Sequence, residues 1–222
     1  MSSSTSICRL LPSHWDMALP IGRIWFVCLA MILVSCGERE EERSILPDDF
    51  ALCAGDVVFR RGEGITSRAV LATDANGNYS HVGIVVDYAE RRMIVHAVPG
   101  EPDFEGDVDR VKMDTPEKFF SYKNASKGEV CRLRDSSIAQ RAANVALRIF
   151  RKGTPFDDKF DDKDTSKMYC TELVVYAYRH AGIDLTEGRR HEIDLPIIKT
   201  ACIFPSDIYA SRHLKSIIKF HQ

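Results

Sequence analysis

Residues 168–178 read MYCTELVVYAY and predict the helix on which the fold depends. Apolar positions such as Leu173 and Val174 recur at helical spacing, and Gly182 provides a stop signal, so this helix is expected to pack against a sheet. Cys170 falls in its first turn. Unpaired backbone N–H groups and the helix dipole stabilise a thiolate there, so we expect a lowered pKa for this thiol. The pattern makes Cys170 a candidate nucleophile.

Two histidines lie on predicted strands that precede this helix. Residues 80–87 (SHVGIVVD) are typical of a buried strand, and His81 stands at its start. Residues 93–98 (MIVHAV) predict a second strand, with His96 near its end. If the two strands pair as a hairpin around a turn at residues 91–92, both imidazoles lie near one end of the sheet. This placement favours His81 as the base for a thiol nucleophile and His96 as the residue that orients it.

Each of these residues also has a purely structural interpretation. A cysteine at the start of a helix is often a small buried apolar side chain, and a single histidine on a strand is usually structural. The joint pattern of one helix-start cysteine and two strand histidines is stronger than any of its parts.

The rest of the sequence predicts an α+β fold with a mostly antiparallel sheet packed against the cysteine helix. Further strands are predicted at residues 57–61, 108–113 and 129–133, and further helices at residues 65–72, 115–120 and about 136–150, the last capped by Ser136 or Ser137. Residues 182–204 carry only loop-like residues and predict no regular element.

The N-terminal segment predicts export. Arg23 precedes an apolar run at residues 24–34 that is too short to span a membrane comfortably, and the run ends in LVSCG at residues 33–37. LVSCG resembles the lipobox of bacterial lipoproteins, which implies a lipid on Cys36 and a protein anchored in the bacterial cell envelope, facing the periplasm or the outside. A buried apolar helix or an uncleaved anchor is the alternative.

Three segments follow from this interpretation of the N-terminus. Residues 1–36 are predicted to be a signal peptide with a lipobox, and residues 37–48 a flexible charged tether. Residues 49–222 then form one catalytic domain, since a chain of this length has room for a single substantial core.

Composition excludes little but indicates no further ligand. The formal net charge is −2 and no basic block is present, so the sequence gives no reason to expect a nucleic-acid partner. Of seven cysteines, Cys53, Cys131, Cys170 and Cys202 fall in the predicted domain, without the close spacing typical of a zinc site. Disulfides among them stay open, and neither a metal nor a cofactor is predicted.

Three motifs resemble the YiiX group of permuted papain-like amidases, which belongs with the NlpC-type peptidases and the lecithin:retinol acyltransferases. They are GDVVF at residues 55–59, YSHVGIV at 79–85 and YCTELV at 169–174. The resemblance implies a circularly permuted papain-like fold, with Cys170 as nucleophile, His81 as base and His96 in the third position. YiiX-type relatives often carry an acidic residue in that third position, and a histidine there is closer to the acyltransferases.

The function expected from this resemblance is a cysteine amidase or peptidase. It would cleave an amide bond in a cell-wall peptide, an N-acyl amino acid or a lipid, through an acyl-cysteine intermediate and without a cofactor. Two alternatives stay open: a lipid acyltransferase or acyl hydrolase of the same fold, and a surface binding module without catalysis.

Overall fold

A six-stranded antiparallel sheet forms the centre of the fold in a computed structural model, which describes residues 43–75, 77–161, 163–194 and 199–222. The strands are β1 (Val57–Arg61), β2 (His81–Tyr88), β3 (Arg91–Ala97), β4 (Val111–Asp114), β5 (Lys127–Leu133), β6 (His191–Asp194), β7 (Lys199–Cys202) and β8 (Leu214–His221). The helices are α1 (Ile65–Thr73), α2 (Pro116–Phe119), α3 (Ser136–Arg151), α4 (Cys170–Ala181) and α5 (Pro205–Tyr209). Strands in the sheet follow the order β4-β3-β2-β1-β5-β8, and β6 pairs with β7 in a separate hairpin.

Both faces of the sheet are covered by apolar side chains. Helices α3 and α4 pack on one face, where alternate residues of β2 such as Val82 and Ile84 meet Leu173 and Val174 of α4. The other face is covered by a smaller cluster that includes Phe119 and residues from the chain before β1. The predicted α+β fold with a mostly antiparallel sheet is confirmed.

The strand register places the ends of three strands at one edge of the sheet. Arg60 near the end of β1 lies opposite His81 at the start of β2, and Gly83 lies opposite His96 near the end of β3. Helix α1 follows β1 directly and therefore leaves the sheet at this same edge. The edge collects side chains that are distant in sequence, which is where a site can form.

Several local predictions differ from the structure. The β2–β3 hairpin turns at Ala89 and Glu90, which both have positive φ as in a type I′ turn, instead of at residues 91–92. Asp135 caps α3 in place of Ser136 or Ser137, because its Oδ1 accepts the backbone N–H groups of Ser137 and Ile138 at 2.9 and 3.1 Å. Part of the segment predicted as loop contains β6 and β7, and both α5 and β8 were missed.

The boundary of the folded domain also differs from its prediction. Within the predicted tether, Ile45 is buried, and its backbone N–H donates to the Phe120 carbonyl oxygen at 2.9 Å. Ser44 forms a bridge with Ser121. The predicted signal peptide at residues 1–36 and tether residues 37–42 lie outside the described residues. In the part of the chain that the structure describes, no helix is both long and apolar enough to cross a membrane.

Candidate active site

Cys170 is the first residue of α4, as the helical pattern predicted. Its side chain is half-buried, and the backbone N–H groups of Val82 and Thr171 and its own N–H act on the sulfur in the direction that favours the thiolate. The N–H groups at the start of a helix have no intrahelical partner, so they are free to face the sulfur. The Val82 contact brings the sulfur next to the start of β2, one residue after His81.

The thiol of Cys170 is not activated in the way that its helix position predicted. Burial raises its pKa to about 11, although the three backbone N–H groups and the nearby charge of Arg60 act in the opposite direction. Removal of the sulfur from water therefore outweighs the stabilisation of a thiolate by the helix start. The expectation of a lowered pKa is wrong, and the resting side chain is a neutral thiol.

His81 and His96 meet through their rings, as the hairpin interpretation predicted. Nε2 of His81 lies 2.9 Å from Nδ1 of His96, and both side chains are buried. Gly83 makes this approach possible, because a Cβ there would lie 2.7 Å from Ile94 Cγ2 and 3.3 Å from His96 Cβ. The close packing of β2 against β3 therefore explains why the SHVG motif has a glycine at this position.

Asp114 extends this arrangement and was not predicted. Its Oδ2 lies 3.0 Å from Nε2 of His96, and its Oδ1 lies 2.9 Å from Nζ of Lys118. We call His81, His96 and Asp114 the polar row. The sequence offered one weak signal for Asp114, since it directly follows the predicted strand at residues 108–113 on the way to a helix.

The polar row is neutral at its histidines and charged at its aspartate. Burial lowers the pKa of His81 well below its usual value, and the nearby charge of Arg60 lowers it further. Burial also lowers the pKa of His96, although the hydrogen bond to Asp114 opposes this effect. For Asp114, burial would raise the pKa, but the contacts with His96 and Lys118 outweigh it and hold the pKa well below its usual range.

Arg60 and Phe119 enclose the polar row and were also missed by the sequence analysis. The Phe119 ring lies 5.7 Å from the ring of His81 and 5.0 Å from that of His96, measured between centroids. The guanidinium of Arg60 lies 4.6 Å above the Phe119 ring and pairs with Glu101 at 2.5 Å. These contacts enclose the imidazoles in a buried environment, next to the ion pair of Arg60 with Glu101.

An apolar pocket of about 180 Å³ opens beside Cys170. Helix α1 forms one wall with Ala69, Val70 and Thr73, and residues 202–205 form another. The described residues that complete the lining are Ser80, Phe160, Tyr169, Cys170 and Thr171, and none of the described lining residues is charged. The pocket can hold an uncharged, mainly apolar group next to the sulfur.

The structure thus brings three of the four predicted site residues to one edge of the sheet. Among the described residues, no hydrogen bond joins the Cys170 sulfur to the His81 ring, and the two residues approach each other through Val82. Cys36, the predicted lipid attachment site, lies outside the described residues. The four cysteines of the folded domain are free thiols.

A solved structure resembles this fold. It is the crystal structure of the metalloprotein YiiX from Escherichia coli O157:H7, which aligns with a TM-score of 0.62 and 19% identity over 78% of this chain and 100% of that chain. Within the described part of this chain, no group of three or more His, Cys, Asp and Glu side chains converges to hold a metal, and the ring nitrogens of His96 face His81 and Asp114.

The family follows from the sequence itself. No curated protein matches the chain. The model of a family described as permuted papain-like amidase enzyme, YaeF/YiiX, matches residues 51–192, which is more than half of the chain. The predicted permuted papain-like fold and the YiiX-like resemblance are confirmed. The chain belongs to the YaeF/YiiX family of permuted papain-like amidases.

Proposed function

We propose that the protein is a cysteine amidase that cleaves amides with an apolar acyl group, through an acyl-cysteine intermediate on Cys170. The observation that carries the proposal is the uncharged pocket next to the sulfur. A substrate whose acyl part bore a carboxylate or ammonium group would have to bury that charge without a partner, at a large cost in free energy. The pocket therefore favours N-acyl amides over charged cell-wall peptides as the source of the acyl group.

The size of the pocket limits the acyl chain. An apolar protein cavity of about 150 Å³ holds benzene, so a pocket of about 180 Å³ has room for roughly six carbon atoms. Each buried methylene contributes about 0.8 kcal/mol of binding free energy. We therefore expect affinity and turnover to rise with chain length up to about six carbons and then to level off.

The proposed reaction begins from a neutral pair. The proton of the Cys170 thiol moves to Nδ1 of His81 while the sulfur attacks the amide carbonyl carbon, so that an S–H bond breaks and a C–S bond forms. His81 then gives this proton to the amine nitrogen as the C–N bond breaks. A water molecule, deprotonated by His81, attacks the thioester, releases the carboxylic acid and restores the thiol.

Backbone groups at the start of α4 supply the electrostatic part of the mechanism. We propose the N–H of Cys170 as one donor to the oxyanion, because it stands at the positive end of the helix. The N–H of Val82, which also acts on the sulfur, is the second candidate. Preorganised donors in a buried site stabilise developing charge more strongly than water does.

A chain-length series tests the proposed function. Full-length protein would be mixed with acetyl, butyryl, hexanoyl and octanoyl 4-nitroanilides and with a charged succinyl 4-nitroanilide, and release of nitroaniline would be followed. We expect Cys170-dependent hydrolysis that rises to hexanoyl, with the succinyl amide at least tenfold slower. Mass spectrometry should show an acyl adduct on Cys170. Hydrolysis that persists in Cys170→Ala, or a preference for the succinyl amide, would contradict the proposal.

An acyltransferase is the second candidate, and the same pocket favours it. The acyl-cysteine would then react with an amine or hydroxyl acceptor in place of water. Adding a lipid amine such as phosphatidylethanolamine in vesicles distinguishes the two activities. Hydrolysis predicts free hexanoic acid at an unchanged rate, whereas transfer predicts an acylated lipid and less free acid.

We also propose that the protein is exported and anchored by a lipid on Cys36. The support is the LVSCG sequence at the end of the apolar run. In a bacterial host, the mature N-terminal peptide should begin at Cys36 with the mass of a diacylglyceryl group, and Cys36→Ala should leave the membrane fraction. Equal membrane association of both proteins would contradict this proposal.

A further inference from the structure

Asp114 lies next to His96 in the site but has no role in the reaction proposed above. Its carboxylate is buried, with Oδ2 at 3.0 Å from Nε2 of His96 and Oδ1 at 2.9 Å from Nζ of Lys118 in α2. Lys118 also pairs with Asp103, and Lys112 pairs with Asp103 at 2.9 Å. Asp114 is thus an ionised acceptor that touches neither the sulfur nor the pocket.

The hydrogen bonds of the polar row fix which nitrogen of each imidazole carries the proton. A neutral imidazole has one N–H donor and one acceptor nitrogen, while an ionised carboxylate only accepts. Nε2 of His96 must therefore donate to Asp114, which leaves Nδ1 of His96 as an acceptor. Nε2 of His81 must then donate to that nitrogen, and the lone pair of His81 is left on Nδ1.

We propose that Asp114 is a positioning residue that sets the tautomers of both histidines, so that Nδ1 of His81 is the base for Cys170. The inference rests on the proposed function and deepens it. In this arrangement Asp114 acts at a distance, through His96, and its negative charge also stabilises the imidazolium that forms on His81 during thiol attack.

Lys118 makes the proposal testable because it can only donate hydrogen bonds. In an Asp114→Asn protein, the amide oxygen should turn toward Lys118, and the amide NH₂ should face Nε2 of His96. That nitrogen would have to become an acceptor, which moves the His96 proton to Nδ1. The His81 proton would then move to Nδ1 as well, and the base would be lost although the shape of the side chain is unchanged.

The experiment combines nitrogen-15 NMR of histidine-labelled full-length protein with hydrolysis of hexanoyl 4-nitroanilide. In the wild type we expect His81 and His96 as Nε2–H tautomers. In Asp114→Asn we expect both as Nδ1–H tautomers, with kcat lower by about 10³ to 10⁴ and KM nearly unchanged, since a wrong tautomer costs about 10⁴ in the serine protease triad. Unchanged tautomers, or a loss of kcat below tenfold, would overturn the proposal.

A double variant separates tautomer control from a merely structural role. In Asp114→Asn with Lys118→Met, the amide oxygen loses the donor that Lys118 provides, so it can turn toward His96 and restore the original tautomers. We expect kcat to recover at least tenfold over Asp114→Asn alone, while Lys118→Met alone changes kcat less than tenfold. A double variant no more active than Asp114→Asn, with Nδ1–H tautomers retained, would count against the proposal.

The proposed activity and the role of Asp114 can be disproved separately. If Cys170→Ala retains full hydrolysis, the proposed function fails, whereas the NMR tautomers of His81 and His96 still decide the role of Asp114. If the wild type hydrolyses the amide and Asp114→Asn does so equally well, only the inference about Asp114 fails.

Discussion

The polar row and the apolar pocket meet at Cys170, but they are built in opposite ways. The polar row comes from three neighbouring strands of one sheet, where register alone aligns His81, His96 and Asp114. The pocket comes from α1, the start of α4, the residues Ser80 and Phe160, and residues 202–205, which belong to no common element. We therefore expect the rigid sheet to position the groups that transfer protons, and the segments around it to determine which substrate binds.

A few polar contacts hold the pocket walls against the site. The hydroxyl of Ser206 donates to Asp74 at 2.7 Å and thereby ties α5 to the end of α1. The hydroxyl of Thr171 donates to the Ile203 carbonyl oxygen at 2.7 Å, which ties the other wall to the start of α4. Helix α1 itself contains no buried residue. We therefore expect the pocket to tolerate change far better than the polar row does.

The largest effect should come from the polar row. Replacing His81 by Ala removes the base, and we expect kcat for hexanoyl 4-nitroanilide to fall by about 10⁴ or more, as for the base of a catalytic triad. KM should change little because His81 is absent from the pocket lining. Steady-state kinetics would check this split, with the melting temperature as a control for folding. A large rise in KM at constant kcat would mean that His81 binds substrate and does not act as a base.

The second effect concerns the acidity of the thiol. Because only a thiolate reacts with iodoacetamide and the pKa of Cys170 is raised to about 11, a fraction of about 10⁻⁴ is ionised at pH 7. Labelling of Cys170 should therefore rise about tenfold per pH unit from pH 7 to pH 10. Glutathione serves as the control and should level off near pH 9. A plateau for Cys170 below pH 7 would indicate a thiolate and imidazolium pair in the resting protein.

The sequence predicted one part of the site well for a physical reason. His81 and His96 lie in β-branched runs whose strands are locally determined, so their proximity follows once the two strands pair. Asp114 was missed because its contact depends on the register between β3 and β4, which local sequence does not specify. The thiol pKa was predicted wrongly because burial depends on residues far from Cys170 in sequence.

The pocket could not be predicted from the sequence for a similar reason. Its walls are joined by the contact between Asp74 and Ser206, which are 132 residues apart. One wall also belongs to a segment that looked like a loop but contains β7. No periodic pattern indicates that such distant segments share one cavity, whereas the fold class depended on strong local patterns in β2, β3 and α4.

The third-largest effect should come from a substitution that narrows the pocket and leaves the polar row unchanged. Ala69→Trp places a large ring on the wall of the pocket. Ala72 lies on the same exposed helix but does not line the pocket, so Ala72→Trp is the matched control. We expect Ala69→Trp to lower kcat/KM for hexanoyl 4-nitroanilide about 10- to 200-fold and for the acetyl amide less than threefold, since apolar pockets discriminate by about this much.

Ala72→Trp should match the wild type with both amides. An equal loss for the acetyl and hexanoyl amides in Ala69→Trp would mean that the helix supports the catalytic residues and does not select the acyl chain.

The smallest effect should come from Gly83→Ala, which tests whether strand packing alone maintains the polar row. In Gly83→Ala the new Cβ would meet Ile94 Cγ2 at 2.7 Å and the Val95 carbonyl oxygen at 3.2 Å, so β2 and β3 must separate slightly. Overpacking of this kind costs about 1–3 kcal/mol of unfolding free energy. Urea denaturation would measure this loss. Gly64→Ala, whose new Cβ meets nothing within 4 Å, is the control without a clash; because Gly64 is the N-cap of α1, where alanine is less favourable, its expected loss is about 1 kcal/mol or less.

The same variant links stability to chemistry, because Gly83 lies directly opposite His96. If the strands move apart, the hydrogen bond between the two imidazoles lengthens, and kcat should fall about tenfold while the preference for the hexanoyl amide is kept. A loss of chain-length preference in Gly83→Ala would show that the pocket also depends on the sheet register. In that case proton transfer and substrate choice would share one structural origin, and the contrast between the polar row and the pocket would not hold.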